Sequence, residues 1–155
     1  MNSIVELVDL FWGWTGYAER FKNHELTRLP IELSDFPHLP EMQTECACLI
    51  NQTLSEEEVD AFLTCMAIDN ECECILSECI KCACDLFLIS IISRGISHPQ
   101  SMARWQVTEL LRKDIPGRKE YLTALMSDEN HYVRKRAYNV ASEIMLLDKY
   151  NNASQ

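Results

Sequence analysis

The chain has 155 residues, of which 47% are hydrophobic and 25% charged, and its formal net charge is −10. That length leaves room for one domain with a full hydrophobic core, and no apolar run approaches the ~20 residues that a membrane-spanning helix needs. The acidic excess argues against a nucleic-acid binder, which needs a basic stripe to displace phosphate counterions, and against docking on an anionic membrane surface.

Ser3 and Glu6 form a Ser-x-x-Glu capping box opening a helix over residues 4–12, with Ile4, Leu7, Val8 and Phe11 on one face. This start lacks the basic head of a secretory signal and carries Glu6 and Asp9 within its apolar stretch, so the cytosol is the expected compartment. Gly13 and Gly16 interrupt the pattern, and a short helical piece is predicted through Tyr17 to Phe21. Residues 23–40 are punctuated by Pro30, Pro37 and Pro40 and predict a surface loop or edge segment. From Pro40 the helical period returns, with Met42, Cys46, Leu49 and Ile50 on one side. Leu54, Ser55, Glu58 and Val59 supply a second capping box with its hydrophobic staple, and the helix that follows turns Val59, Phe62, Leu63 and Met66 inward.

Residues 71–94 read as the longest helix. Cys72, Ile75, Leu76, Cys79, Ile80 and Ala83 fall within one sector, and the run DLFLISIIS is apolar nearly all round, as in a helix covered on several sides. Gly95 ends it. Pro99 stands at the first turn of the next helix, whose stripe is Met102, Ala103, Val107, Leu110 and Leu111.

Residues 116–141 read as a helix–turn–helix unit. Tyr121, Leu122, Leu125 and Met126 make the first stripe, Ser127 or Asp128 stops that helix and caps the next, and Val133, Ala137, Val140 and Ala141 make the facing stripe. The order Leu-x-x-Leu-x-x-Asp, then Val-Arg-x-x-Ala, resembles a HEAT repeat, the two-helix brick of α-solenoids. The resemblance implies close helix approach at the Ala, an Asp and Arg that bridge neighbouring turns with Arg134 facing the next repeat, and a surface for gripping macromolecules. An offset of 30 residues pairs His98 with Asp128, Ala103 with Val133, Arg104 with Arg134, Val107 with Ala137 and Leu110 with Val140, which suggests a second, degenerate repeat. The expected fold is all-α: six to eight helices in antiparallel pairs, one domain over 1–150 with HEAT-like hairpins at 86–148, and a frayed tail at 151–155.

Eight cysteines without an export signal read as reduced thiols rather than disulfides. Cys46 and Cys48, Cys72 and Cys74, and Cys82 and Cys84 are two apart, so on a helix they point about 200° from one another and cannot chelate one ion. Buried structural thiols are therefore expected, with a cysteine-based metal or redox protein as the lesser alternative and no cofactor or metal assigned. His24, His38, His98 and His131 show no His-x-x-x-His spacing and no adjacent nucleophile, so no catalytic constellation is expected. Trp12, Trp14 and Tyr17 read either as the closed end of a core or as an exposed aromatic anchor.

Charge is divided unevenly. Residues 1–85 hold 17 Asp and Glu against 4 Lys and Arg, whereas residues 86–155 hold 7 against 10. Glu41 and Glu45, then Glu56, Glu57 and Asp60, then Glu71, Glu73 and Glu78 place acid on three successive helical segments, and these eight are the candidate partner-binding residues. Their complement is a basic protein, drawn in by opposed potentials. The expected function is non-enzymatic protein binding. In architecture and charge the chain is similar to bacterial immunity proteins, which implies occlusion of a basic, nuclease-type toxin; a non-catalytic scaffold or regulatory subunit is the alternative.

Overall fold

A computed structural model of the protein describes residues 2–17 and 25–153, and all structural statements concern these. They fold into eight α-helices with no strand: α1 (Ile4–Thr15), α2 (Leu39–Leu49), α3 (Glu56–Ile68), α4 (Cys74–Cys82), α5 (Asp85–Gly95), α6 (Ser101–Leu110), α7 (Arg118–Met126) and α8 (His131–Ala153). Helices α1, α3 and α5 form one layer and α2, α4, α6 and α8 a second, since α1 packs on α3 and α3 on α5, while α2 packs on α4, α4 on α6 and α6 on α8; α7 packs on α8. One apolar cluster runs between the layers from Ile4 to Ile144. Among the described residues no helix is long and apolar enough to cross a membrane.

Both capping boxes are present, Ser3 with Glu6 and Ser55 with Glu58. The expected piece from Tyr17 to Phe21 lies, apart from Tyr17, outside the described residues. Residues 25–38 are not a surface loop. Two short 3₁₀ turns, Leu26–Arg28 and Leu33–Asp35, bury Leu26, Leu29, Leu33 and Phe36 against the core. The segment is tied to α6 by Gln100, whose Oε1 accepts from the Leu26 N–H at 2.7 Å, and by Glu25, whose carboxylate accepts from Ser101 Oγ at 2.8 Å.

The predicted helix 71–94 is two helices, and Glu71 and Glu73 precede the first. Ala83 and Cys84 are extended. Asn51, just after α2, holds the break: its Nδ2 donates to the Cys82 carbonyl at 2.9 Å and its Oδ1 accepts from the Cys84 N–H at 2.7 Å. At the other end Glu73 is left-handed and offers no cap. Asp69 serves instead, accepting from the Ile75 N–H at 2.8 Å through one oxygen and from Gln43 Nε2 at 2.6 Å through the other. Gly95 is the last residue of α5, and a Cβ there would meet Val107 Cγ2 at 2.5 Å and Leu63 Cδ2 at 3.0 Å. The missing side chain lets α5 lie close to α3 and α6.

The 30-residue offset is visible in local geometry. His98 Nδ1 accepts from the Gln100 N–H at 3.2 Å, as Asp128 Oδ1 accepts from the Asn130 N–H at 2.8 Å. Arg104 Nη1 donates to the carbonyls of His98 and Pro99, as Arg134 Nη1 donates to those of Asp128 and Glu129. The apolar positions 103/133, 107/137 and 110/140 are all buried. The two units are joined by Arg104, whose Nε and Nη2 meet the Asp128 carboxylate at 2.8 and 3.1 Å, both side chains being almost wholly buried. The cap of α8 is neither Ser127 nor Asp128. Asn130 Oδ1 accepts from the N–H groups of Tyr132 and Val133, which frees Asp128 for Arg104.

The cysteine expectation is corrected for five of the eight. Cys46, Cys65 and Cys79 are buried, whereas Cys48, Cys72, Cys74, Cys82 and Cys84 are exposed and all eight are free thiols. Because α4 turns Ile75, Leu76 and Cys79 inward, Cys74 falls on its outer side. Cys82 is exposed as the last residue of α4, and Cys84 stands at the exposed corner before α5.

Candidate partner-binding face

Two of the predicted carboxylates, Asp60 and Glu56, gather around Arg94 of α5. Asp60 takes the guanidinium in a two-pronged pair, Nε to Oδ1 and Nη2 to Oδ2, and Glu56 approaches Nη1 at 3.4 Å. Glu57 and Asp60 then line a cavity of about 670 Å³, walled by Asp9 and Trp12 of α1 and by Arg94, Ser97 and His98. Asp9 and Glu57 make no hydrogen bond or ion pair within the described residues, so the cavity keeps two uncompensated negative charges beside an indole ring.

The cavity wall is held from below. Because His98 Nδ1 is an acceptor, the ring proton sits on Nε2 and faces Thr64 Oγ1 at 3.3 Å; that hydroxyl donates in turn to the Asp60 carbonyl. Burial pushes the His98 pKa down to about 4, opposed by the Asp60 charge and helped by the Arg104 and Arg94 guanidiniums. The ring is therefore neutral near pH 7 and acts as a fixed strut.

Compared with models of protein families, with curated proteins and with solved structures, the chain matches none significantly. Glu41, on α2, accepts from Asn2 Nδ2 and pairs with His38 at 3.0 Å. The His38 contact, chiefly, holds its pKa below the usual carboxylate range. Asn2 and His38 line a second cavity, of about 650 Å³, with Glu6, Asp9, Leu10, Trp14 and Phe36. Asp9 belongs to both cavities, so the exposed side of α1 joins Glu41 to the Glu57 and Asp60 group. The second cavity is the more apolar, Trp14 lying 5.5 Å from the Phe36 ring and partly exposed, while Trp12 is buried in the core.

The other predicted residues lie elsewhere. Glu73 opens on a third cavity of about 370 Å³ with Asn70, Trp105 and Tyr132, and Glu78 pairs with Lys81 at 2.9 Å. Glu45 and Glu71 have no partner within the described residues. Among those residues no three His, Cys, Asp or Glu side chains converge in a way that could hold a metal ion. The residues that sequence reasoning missed are Asp9 and Arg94. The period of Ile4, Leu7, Val8 and Phe11 already puts Asp9 on the outer side of α1, but nothing in linear spacing says that α1 lies against α3.

Proposed function

We propose that the protein is a non-catalytic binding module that takes a basic protein partner on the face formed by α1, α3 and the turn from α5 to α6. The observation that carries this is the pair of uncompensated carboxylates, Asp9 and Glu57, facing one cavity beside Trp12. A guanidinium or ammonium group is the complement of such walls, since an indole attracts a cation through its ring face and two carboxylates complete its hydrogen bonds. The neighbouring cavity with Leu10, Trp14 and Phe36 would receive an apolar side chain next to that cation, which is where affinity arises, the charges setting encounter rate and specificity. The biological form that the acidic charge and the likeness to HEAT-type hairpins support is an immunity protein covering the substrate groove of a cognate toxin.

The test is co-purification with the product of the neighbouring gene, followed by association kinetics. Asp9→Lys with Glu57→Lys should slow association by roughly tenfold at low ionic strength and flatten its salt dependence. On-rates that ignore both the substitutions and salt would remove this face from the mechanism.

A further inference from the structure

The stripe of α8 that points away from α6 carries a pattern with a counterpart elsewhere in the fold. Arg134, Tyr138, Ala141, Met145 and Asp148 are spaced four, three, four and three residues apart, so they share one side of the helix. Val133, Ala137, Val140 and Ile144 face the core, and Arg136 and Glu143 reach back to Glu109 and Arg112 on the α6 side. At 3.6 residues per turn, the Arg134 stripe lies opposite Arg136 and Glu143. Tyr138 is 57% and Met145 61% exposed, and Asp148 is exposed too.

Thirty residues earlier the equivalent positions are Arg104, Thr108, Leu111 and Ile115, and all four are buried. There the guanidinium uses Nη1 on two carbonyls of its own turn and gives Nε and Nη2 to the Asp128 carboxylate. Arg134 repeats the first half of that arrangement through Nη1. Its Nε and Nη2 have no partner within the described residues, and Asp148 on the same stripe has none either. The stripe thus pairs two exposed apolar side chains with one free cationic edge and one free carboxylate.

We infer that this stripe docks on its own copy, two α8 helices packing antiparallel about a two-fold axis at Ala141. In that register the residue seven before Ala141 meets the residue seven after it, so each Arg134 meets the Asp148 of the second molecule. Tyr138 packs beside Met145 of the second molecule, and the small Ala141 at the crossing lets the backbones come close. Every group finds its complement twice, as an isologous contact requires. One helix from each molecule makes a small interface, so the dimer is concentration-dependent. The face is separate from the α1–α3 cavities, and the inference does not depend on what those cavities bind.

Sedimentation equilibrium of the intact protein over a concentration series reads the result. The wild type should show a monomer–dimer equilibrium. Asp148→Arg sets like charges opposite one another and should weaken dimerisation at least about tenfold. Arg134→Asp should do the same, and the double variant Arg134→Asp with Asp148→Arg should restore the dimer. Because Arg134 also holds the turn before α8, circular dichroism accompanies its variants, and Asp148→Arg and Tyr138→Glu, which leave that turn alone, keep the test open if Arg134 variants unfold. A monomer at every concentration would leave the stripe to a different chain and overturn the inference. So would a dimer indifferent to Asp148→Arg and Tyr138→Glu, or a double variant that stays monomeric while folded.

Discussion

The acidic half, α1 to α4, and the half from α5 to α8 are held together by different means. In the second half a local arrangement recurs after thirty residues, with the same backbone contacts at 98–104 and at 128–134, and one buried ion pair joins the two units. In the first half only the capping boxes of α1 and α3 recur, and no contact pattern repeats at a fixed offset. Single polar side chains fix individual corners: Asn51 the break between α4 and α5, Asp69 the start of α4, Gln100 and Glu25 the segment before α2. Repetition distributes stability along a seam, whereas individual ties concentrate it at points. The two halves should therefore respond differently to single substitutions.

The largest effect should come from cutting the seam. Asp128→Ala leaves the Arg104 guanidinium buried without its carboxylate and should cost about 3–5 kcal/mol, measured by denaturant unfolding. Next is acid. His98 is neutral when folded, with a pKa of about 4, against an ordinary value of 6.5 when unfolded. The unfolded chain thus binds more protons between those values, and stability falls as pH is lowered from 6.5 towards 4, by about 3 kcal/mol in all. His98→Asn should flatten that part of the stability–pH curve; an unchanged slope would assign it to other groups.

A point tie should cost less and act locally. Asp69→Ala removes the cap of α4 and strands Gln43, at about 2 kcal/mol, with faster amide exchange confined to α4 and its contacts. Exchange spreading evenly over both halves would erase the distinction. The mildest probe changes no residue. A thiol reagent should modify Cys48, Cys72, Cys74, Cys82 and Cys84 in the native protein and reach Cys46, Cys65 and Cys79 only on unfolding. Burial raises the Cys46 thiol well above its usual range and pushes Cys79 up to about 12, so both are protonated as well as shielded.

The same contrast explains what was legible in the sequence. The all-helical fold, both capping boxes and the thirty-residue offset rest on short-range patterns and can be read directly. The break at Ala83 cannot, because its cause is Asn51, more than thirty residues away. Leu26, Leu29, Leu33 and Phe36 do carry a three–four–three spacing, but Pro30 and Pro37 disguise it as loop. Of the predicted acidic set, Glu56, Glu57 and Asp60 converge because one helical turn carries them. Asp9 joins them only through the packing of α1 on α3, a relation that no one-dimensional spacing encodes.

The Asn51 tie is uncharged at both ends. An amide bonded to a carbonyl and an N–H does not titrate and is only weakly screened by salt, so the corner between α4 and α5 keeps its angle while the carboxylates around it gain or lose protons. Neutral masonry at that corner means that a change of buffer alters the charge around it without moving the turn itself.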